Sequence, residues 1–153
     1  MIAVLQRVYN ATVYSDGELS GQIGGGLYIL LGVLNGDTES DAVLLAEKIS
    51  KCRIFSDPNG KMNLSVNDIN GEALVVSNFT LGANYSHGNR PDYFNSADPE
   101  IAKTIYLHFV SELRKRVRNV ECGVFGTHMQ TDMSTDGPVT IVMDSQVLRG
   151  GRK

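Results

Sequence analysis

Apolar and polar residues alternate through the first part of the chain, as they do in half-buried β-strands. The alternation predicts strands at residues 2–8, 11–15 and 18–23, with Asp16 and Gly17 forming a hairpin turn. Three consecutive glycines then lead into an apolar run at residues 27–33, which is typical of a central strand covered on both faces. The N-terminal part of the chain therefore predicts a sheet.

Two segments have helical periodicity. Thr38 precedes Asp41 by three residues, which is a capping-box spacing, and the apolar pattern behind it predicts a helix ending near Cys52. Asp98 and Pro99 are suited to start a second helix. One apolar face of that helix repeats every four residues, at Ile101, Ile105, Phe109, Leu113 and Val117.

The remaining patterns predict strands at residues 53–55, 73–79, 118–121, 128–133 and 139–144, with a turn at residues 57–60. Many strands and two main helices favour an α+β fold, in which mixed or antiparallel sheets form a barrel-like core with the helices packed outside. No internal repeat or linker interrupts the chain, so we expect a single domain over residues 1–153.

Composition and charge narrow the possible functions. The chain has 153 residues and a net charge of −3, which disfavours broad binding to nucleic-acid backbones and leaves room only for a local RNA contact. The one dense basic cluster is typical of a solvated helix end: Arg114, Lys115, Arg116 and Arg118. No apolar run is long enough for a signal peptide or a membrane span, so we expect a cytoplasmic protein.

The sequence contains no recognisable metal or cofactor motif. His87, His108 and His128 are isolated, and Cys52 and Cys122 lack the spacing of a metal site. The glycines at 24–26 precede a strand and do not form a phosphate-binding loop. We therefore expect neither a metal nor a cofactor. The polar segment 82–98 has no clear period, and it is either disordered or functional.

Two short segments combine apolar strand character with polar groups. One is Ser77-Asn78-Phe79-Thr80-Leu81, and the other is Asp136-Gly137-Pro138-Val139-Thr140. Taken alone, the first is typical of a polar strand end and the second of a turn before a strand.

Taken with the rest of the chain, these motifs resemble the D-aminoacyl-tRNA deacylase family over essentially the full length. That family has Ser-Gln-Phe-Thr-Leu where this chain has residues 77–81, and Asn-x-Gly-Pro-Val-Thr where it has residues 135–140. Asn78 replaces the family's Gln and Thr135 its Asn. Other matching segments are residues 3–8, 53–55, 60–66, Gly88-x-Arg90-Pro91 and Phe125-Gly126-x-x-Met129-Gln130.

The resemblance implies hydrolysis of the ester that joins a D-amino acid, or glycine, to the terminal adenosine of tRNA. It also implies a homodimer with the active site at the interface. The catalytic strand end would comprise Ser77, Asn78, Phe79 and Thr80, and the backbone N–H groups of Phe79 and Thr80 are candidate donors to the oxyanion. Thr80 could orient water or act as a nucleophile, although a hydroxyl nucleophile needs a neighbouring base.

The family resemblance also assigns substrate selection to residues outside this strand end. The Gly137-Pro138 bond should be cis and should reject L-amino acids by steric exclusion. Arg7 should hold that segment by donating to the Gly137 carbonyl, and Met129 should line an adenine pocket. Two other hypotheses remain open: a non-catalytic tRNA- or nucleotide-binding module, which the changes at Asn78 and Thr135 would fit, and a metal-free hydrolase of small esters.

Overall fold

A computed structural model describes residues 1–150, in which the helices pack against a mixed β-sheet. In chain order the elements are β1 (Ile2–Ser15), β2 (Glu18–Ile23), β3 (Gly26–Gly32), α1 (Glu39–Ser50), β4 (Phe55–Ser56), β5 (Met62–Leu64), β6 (Glu72–Ser77), a 3-10 turn (Phe79–Gly82), α2 (Pro99–Arg114), β7 (Val120–Cys122), β8 (Met129–Asp144) and α3 (Ser145–Leu148).

The main sheet is nearly closed into a barrel. Its strands follow the order β2-β1-β3-β6-β7, and β8 pairs with β1. β3, β6 and β7 are parallel, whereas β1 is antiparallel to β2, β3 and β8. At the closure β2 meets β7: a Cβ added at Gly21 would lie 3.2 Å from the Cβ of Glu121 and 3.3 Å from the Cys122 carbonyl oxygen. The predicted α+β, barrel-like fold is confirmed.

Two strands are longer than the sequence pattern predicts. Residues 2–8 and 11–15 belong to one strand, β1, and the predicted strands near residues 128–133 and 139–144 belong to one strand, β8. The alternation breaks because the register between β1 and β8 shifts on either side of Val8. Irregular pairing therefore disguises a continuous strand as two short ones.

The helices cover one side of the sheet and enclose the main core. Ile105, Phe109 and Leu113 of α2 are buried, as the four-residue repeat predicts. The prediction is wrong for Ile101, which is 55% exposed; Ala102 faces the core in its place. Because the helix repeats every 3.6 residues, a strict spacing of four drifts off the buried face.

The smaller elements differ from the predictions mainly at their ends. α1 starts as predicted, with the Thr38 N–H donating to Asp41 Oδ2 at 2.8 Å, but ends at Ser50. The predicted strand at 53–55 is Phe55–Ser56, and its partner β5 was missed. The short helix α3 was also missed; an Arg149–Asp41 ion pair ties it to α1. No helix within residues 1–150 has the length and apolar character needed to cross a bilayer.

Candidate active site

A cavity of about 700 Å³ opens where the parallel strands β3 and β6 end. Leu31 of β3 lies beside Ser77 of β6, so the carboxyl ends of both strands reach the same edge of the sheet. Loops at this edge commonly form binding sites in sheets with parallel strands. The inner wall is apolar and includes Ala102, Tyr106, Phe125 and Met129. Met129 therefore lines a ligand-sized cavity.

The motif at residues 77–81 turns sharply at the mouth of this cavity. The predicted strand 73–79 ends at Ser77, and residues 79–82 form the 3-10 turn. Asn78 caps the turn: its Oδ1 accepts from the Thr80 N–H at 3.2 Å and from the Thr80 hydroxyl at 2.5 Å. The Asn78 side chain thus satisfies its own backbone turn, as short Asx side chains commonly do.

This capping separates the two candidate oxyanion donors. The Thr80 N–H is occupied by Asn78, whereas the Phe79 N–H makes no hydrogen bond within residues 1–150. The first N–H groups of a helical turn have no partner inside the turn, which leaves Phe79 free to donate to a ligand. Of the two amides expected from the sequence, Phe79 alone is available.

Thr80 lacks the environment of an activated nucleophile. Its hydroxyl donates to the amide oxygen of Asn78, which is not a base at neutral pH. No Asp, Glu or His hydrogen-bonds to that hydroxyl anywhere in the chain up to Gly150. The structure therefore offers no base for Thr80.

Ser96 is a site residue that the sequence analysis missed. Its hydroxyl donates to the Phe79 carbonyl oxygen at 2.7 Å, across 17 positions of sequence. The Phe79–Thr80 peptide is consequently held at both ends, its C=O by Ser96 and its N–H by Asn78. A serine in a polar segment carries no sequence signal for such a contact.

Aromatic side chains form the rim of the cavity. Phe79 is 61% exposed and meets the ring of Tyr93 edge to face, with the ring centroids 5.1 Å apart. Phe94 also borders the opening. Deeper in, Tyr106 donates to the Val75 carbonyl at 3.1 Å, and burial raises the pKa of its hydroxyl. Tyr106 is therefore a neutral wall residue at physiological pH.

The polar segment 82–98 is held by hydrogen bonds, so the interpretation as a disordered loop is wrong. Backbone hydrogen bonds of 2.8 and 2.9 Å join Asn84 and Asp92 in both directions. Further along, the Ala97 N–H donates to the Val33 carbonyl at 3.0 Å, and Asn35 Nδ2 donates to the Phe94 carbonyl at 2.5 Å. The segment is thereby attached to the end of β3 and forms part of the cavity wall.

The second motif lies in a bulge of β8. Gln6 pairs with Thr140 and Val8 with Thr135, so the four residues 136–139 lie opposite Arg7 alone. The Gly137–Pro138 bond in this bulge is cis, as expected, and both residues are exposed. A Cβ at Gly137 would overlap the backbone nitrogen of Val139, so the bulge requires glycine at this position.

Arg7 holds the base of the bulge, but not by the bond expected. Its Nε donates to the Asp136 carbonyl at 3.1 Å, its Nη2 to Asp136 Oδ1 at 3.2 Å, and its Nη1 to the Ile54 carbonyl at 2.8 Å. The expected bond to the Gly137 carbonyl is therefore a misassignment by one residue. The correct acceptor precedes Gly137, so the Gly137 carbonyl stays free of Arg7.

The two motifs do not meet within the chain. The cavity wall contains no residue beyond Met129 among those described, so the Gly137–Pro138 bulge lies outside it. Ala3 pairs with Leu31 next to the site, whereas the bulge faces Arg7, roughly 13 Å further along β1 at strand spacing.

The basic cluster at the end of α2 is largely neutralised by the protein itself. Glu112 binds both Lys115 and Arg116, and these hydrogen bonds lower the pKa of its carboxyl group to about 2. Arg118 pairs with Glu72 at 3.1 Å. These contacts support the interpretation as a helix end. Cys122 Sγ does have a cationic neighbour that the sequence did not reveal, Arg114 Nη2 at 3.9 Å.

Comparison with known proteins gives one consistent result. The family model described as "D-Tyr-tRNA(Tyr) deacylase" matches residues 4–144. A D-aminoacyl-tRNA deacylase of Persephonella marina is 52% identical over 148 residues, covering 97% of this chain and 100% of the relative. One from Dictyoglomus turgidum is 48% identical over 153 residues, covering 100% of this chain and 98% of the relative.

Two solved structures share the architecture. The c-Myc DNA Unwinding Element Binding Protein superposes with a TM-score of 0.88 at 39% identity, covering 94% of this chain and 98% of that one. A probable eukaryotic D-amino acid tRNA deacylase superposes with a TM-score of 0.80 at 14% identity, covering 93% and 97%. The second likeness shows the fold alone.

Proposed function

Because the chain belongs to the D-Tyr-tRNA(Tyr) deacylase family, we propose that it hydrolyses the ester between a D-amino acid and the terminal adenosine of tRNA. The observation that carries the proposal is the uncommitted N–H of Phe79 at the mouth of a cavity large enough for an aminoacyl-adenosine. Two relatives that are about half identical to this chain over almost its whole length are both named D-aminoacyl-tRNA deacylase.

The chemical step needs a donor for the carbonyl oxygen more than it needs a protein nucleophile. Water adds to the ester carbonyl carbon, and the carbonyl oxygen becomes negative in the tetrahedral intermediate. The Phe79 N–H stabilises that charge. The bond to the ribose oxygen then breaks, the ribose oxygen takes up the proton that the attacking water has lost, and the free D-amino acid leaves. Ser77, Asn78 and Thr80 shape the turn and orient the substrate or the water.

A pair of substitutions at Phe79 tests the role of its amide. Phe79→Pro removes the N–H, and proline is tolerated at the first position of a helical turn. Phe79→Ala keeps the N–H and removes only the ring. We expect kcat to fall by about 10²–10³-fold in Phe79→Pro, the usual effect of losing one oxyanion donor, and much less in Phe79→Ala. Equal losses in the two variants would eliminate the amide as the donor.

Thr80→Ala should retain measurable deacylation. The Thr80 hydroxyl contacts no base, so removing it costs the turn one hydrogen bond but removes no nucleophile. Single-turnover measurements with radiolabelled D-Tyr-tRNA provide the rate. An acyl-enzyme trapped on Thr80 of the wild-type protein would refute this assignment.

The active site is completed by a second copy of the chain. Gly137 and Pro138 are exposed in a bulge that lies away from the cavity of their own protomer. β8 pairs only with β1 among residues 1–150, so its other edge is unpaired, and Val142 on this strand is 68% exposed. A long open strand edge with apolar side chains suits association with another copy. In the homodimer, each bulge would face the partner's Ser77-to-Leu81 turn.

This arrangement accounts for selection of the D-configuration. A glycine has no Cβ, so the Gly137 carbonyl can approach a bound α-amino group closely. The side chain of a D-amino acid points away from this wall, whereas that of an L-amino acid would collide with it. Glycine has no side chain to exclude, so glycyl-tRNA would also be accepted. Since aminoacylated tRNA is the proposed substrate, we place the protein in the cytoplasm.

Mixed dimers test whether the site is shared. Phe79→Pro and Gly137→Ala would each inactivate a homodimer, but a heterodimer would contain one intact site, made by the Phe79 of one protomer and the Gly137 of the other. Random mixing of equal amounts should restore about one quarter of the wild-type activity. Retained dimer mass of each variant is the folding control. No recovery from mixed dimers of confirmed composition would contradict a shared site.

A further inference from the structure

The exposed segment between Asn84 and Asp92 is built like a rigid finger beside the cavity. Asn84 and Asp92 form its base through two backbone hydrogen bonds and a side-chain bond from Asn84 Nδ2 to Asp92 Oδ2 at 3.0 Å. Asn84 Oδ1 accepts from the Ser86 N–H, and Asp92 Oδ1 accepts from the Phe94 N–H, both at 3.2 Å. We define residues 84–92 as the finger; its tip, residues 85–91, is exposed throughout.

The finger has no structural task within the protomer that would explain its side chains. Tyr85 is 81% exposed, so its ring contributes little to the core. Arg90 is exposed and takes part in no ion pair within residues 1–150. Several other arginines are engaged: Arg7 with Asp136, Arg116 with Glu112, Arg118 with Glu72 and Arg149 with Asp41.

The position of the finger links it to the substrate. Tyr93 and Phe94, directly after the finger, border the cavity. Arg90 lies three residues before Tyr93, so even a fully extended backbone would separate it from this rim residue by no more than roughly 10 Å. If the terminal adenosine occupies the cavity, the next phosphates and bases of the same strand pass the finger.

We propose that the finger binds the single-stranded 3′ end of tRNA immediately before its terminal adenosine, with Arg90 on a phosphate and Tyr85 stacked on a base. This inference rests on the proposed function, because it takes the cavity to hold the terminal nucleotide. Aromatic rings and a local positive charge are the usual means of binding single strands without reading sequence. The net charge of −3 also disfavours an extended contact with the tRNA phosphates, so a small, local contact fits this protein better.

The test compares whole D-Tyr-tRNA with the fragment D-tyrosyl-adenosine, which lacks the preceding nucleotides. Arg90→Ala should raise KM for the whole tRNA about tenfold, as expected for one hydrogen bond to a charged group. The kcat for the tRNA and both constants for the fragment should stay unchanged. The logarithmic salt dependence of binding should lose about 0.7 per phosphate contact removed, and Arg90→Lys should restore most of it.

Tyr85 provides an independent arm. Tyr85→Ala should raise KM for the tRNA severalfold without changing the salt dependence, whereas Tyr85→Phe, which keeps the ring, should behave as wild type.

Lys48→Ala is the matched control for Arg90→Ala, because Lys48 is an exposed cation on α1, a helix that contributes nothing to the cavity wall. We expect no effect from it on either substrate.

Three results would overturn the proposal. The first is wild-type KM and salt dependence in both Arg90→Ala and Tyr85→Ala. The second is an equal loss on the fragment, which would place the finger's effect inside the site. The third is a change of oligomeric mass in these variants, which would make the finger a protein interface. Binding of tRNA without an attached amino acid distinguishes a failure of this proposal from a failure of the proposed function. If the wild type hydrolyses neither substrate, the proposed function fails. A weaker affinity of Arg90→Ala for this tRNA would still support the role of the finger.

Discussion

The contact between Arg7 and Asp136 should determine the stability of the Gly137–Pro138 bulge. Arg7 makes three hydrogen bonds, to the Asp136 carbonyl, the Asp136 carboxylate and the Ile54 carbonyl, and its side chain is only 12% exposed. Asp136 is 31% exposed, so the ion pair is partly desolvated and falls between the surface and buried limits. We expect Arg7→Ala to lower the free energy of unfolding by about 2–4 kcal/mol, since hydrogen bonds to charged groups contribute about 1.5–3 kcal/mol and two carbonyls lose their donor.

A double-mutant cycle separates the ion pair from the rest of this loss. Arg7→Ala, Asp136→Asn and the double variant are compared by urea unfolding at one protein concentration, because dimerisation would shift apparent stability. We expect a coupling free energy of about 1–2 kcal/mol. Arg53→Ala is the control, since Arg53 is exposed and bonds a single carbonyl, that of Asn63. Additivity of Arg7→Ala and Asp136→Asn within about 0.5 kcal/mol would refute the reasoning.

Three further predictions rest on contacts elsewhere in the molecule. Glu112→Gln should destabilise the protein at neutral pH, because it removes the carboxylate that binds Lys115 and Arg116. The folded-state pKa of Glu112 is about 2 against an ordinary 4.5, so the stabilisation by its carboxylate is complete above about pH 4.5 and is lost as the pH falls toward 2. Unfolding curves of the wild type and the variant across that range measure this loss. Ser96→Ala should lower kcat about tenfold at constant KM, as expected for one lost hydrogen bond that orients the Phe79 turn, while Ser96→Thr keeps the hydroxyl and most of the activity. Gly82→Ala should reproduce the Ser96→Ala defect, because the added Cβ would collide with the Ser96 hydroxyl; a double variant much worse than Ser96→Ala would separate the two effects.

The sequence predicts most of what depends on neighbouring residues. Short-range patterns identify the strands of the main sheet, although they split β1 and β8 into two strands each, and they identify the Thr38–Asp41 cap and the start of α2 at Asp98. Local chemistry suffices for these caps because the partners lie within a few residues of one another. The motif at 77–81 ends an apolar run and Gly137-Pro138 precedes one, and only the family resemblance assigns either of them to a site.

What the sequence does not predict depends on register and on distant contacts. The bulge opposite Arg7 is a property of the β1–β8 pairing, so the acceptor at Asp136 rather than Gly137 could not be assigned from spacing. The bond from Ser96 to Phe79 likewise joins two segments only after the fold has formed. The availability of each amide depends on the conformation of the turn, because the Thr80 N–H is bonded to the Asn78 side chain and the Phe79 N–H is not.

Side-by-side deacylation of D-Tyr-tRNA, L-Tyr-tRNA and Gly-tRNA tests the central claim most directly. The three substrates share the tRNA and the ester, so any difference in rate reports on the configuration at the α-carbon and on the size of the side chain. We expect rapid release of D-tyrosine, measurable release of glycine and no release of L-tyrosine above spontaneous hydrolysis. Efficient hydrolysis of L-Tyr-tRNA by the wild-type protein, or none of D-Tyr-tRNA, would contradict the account.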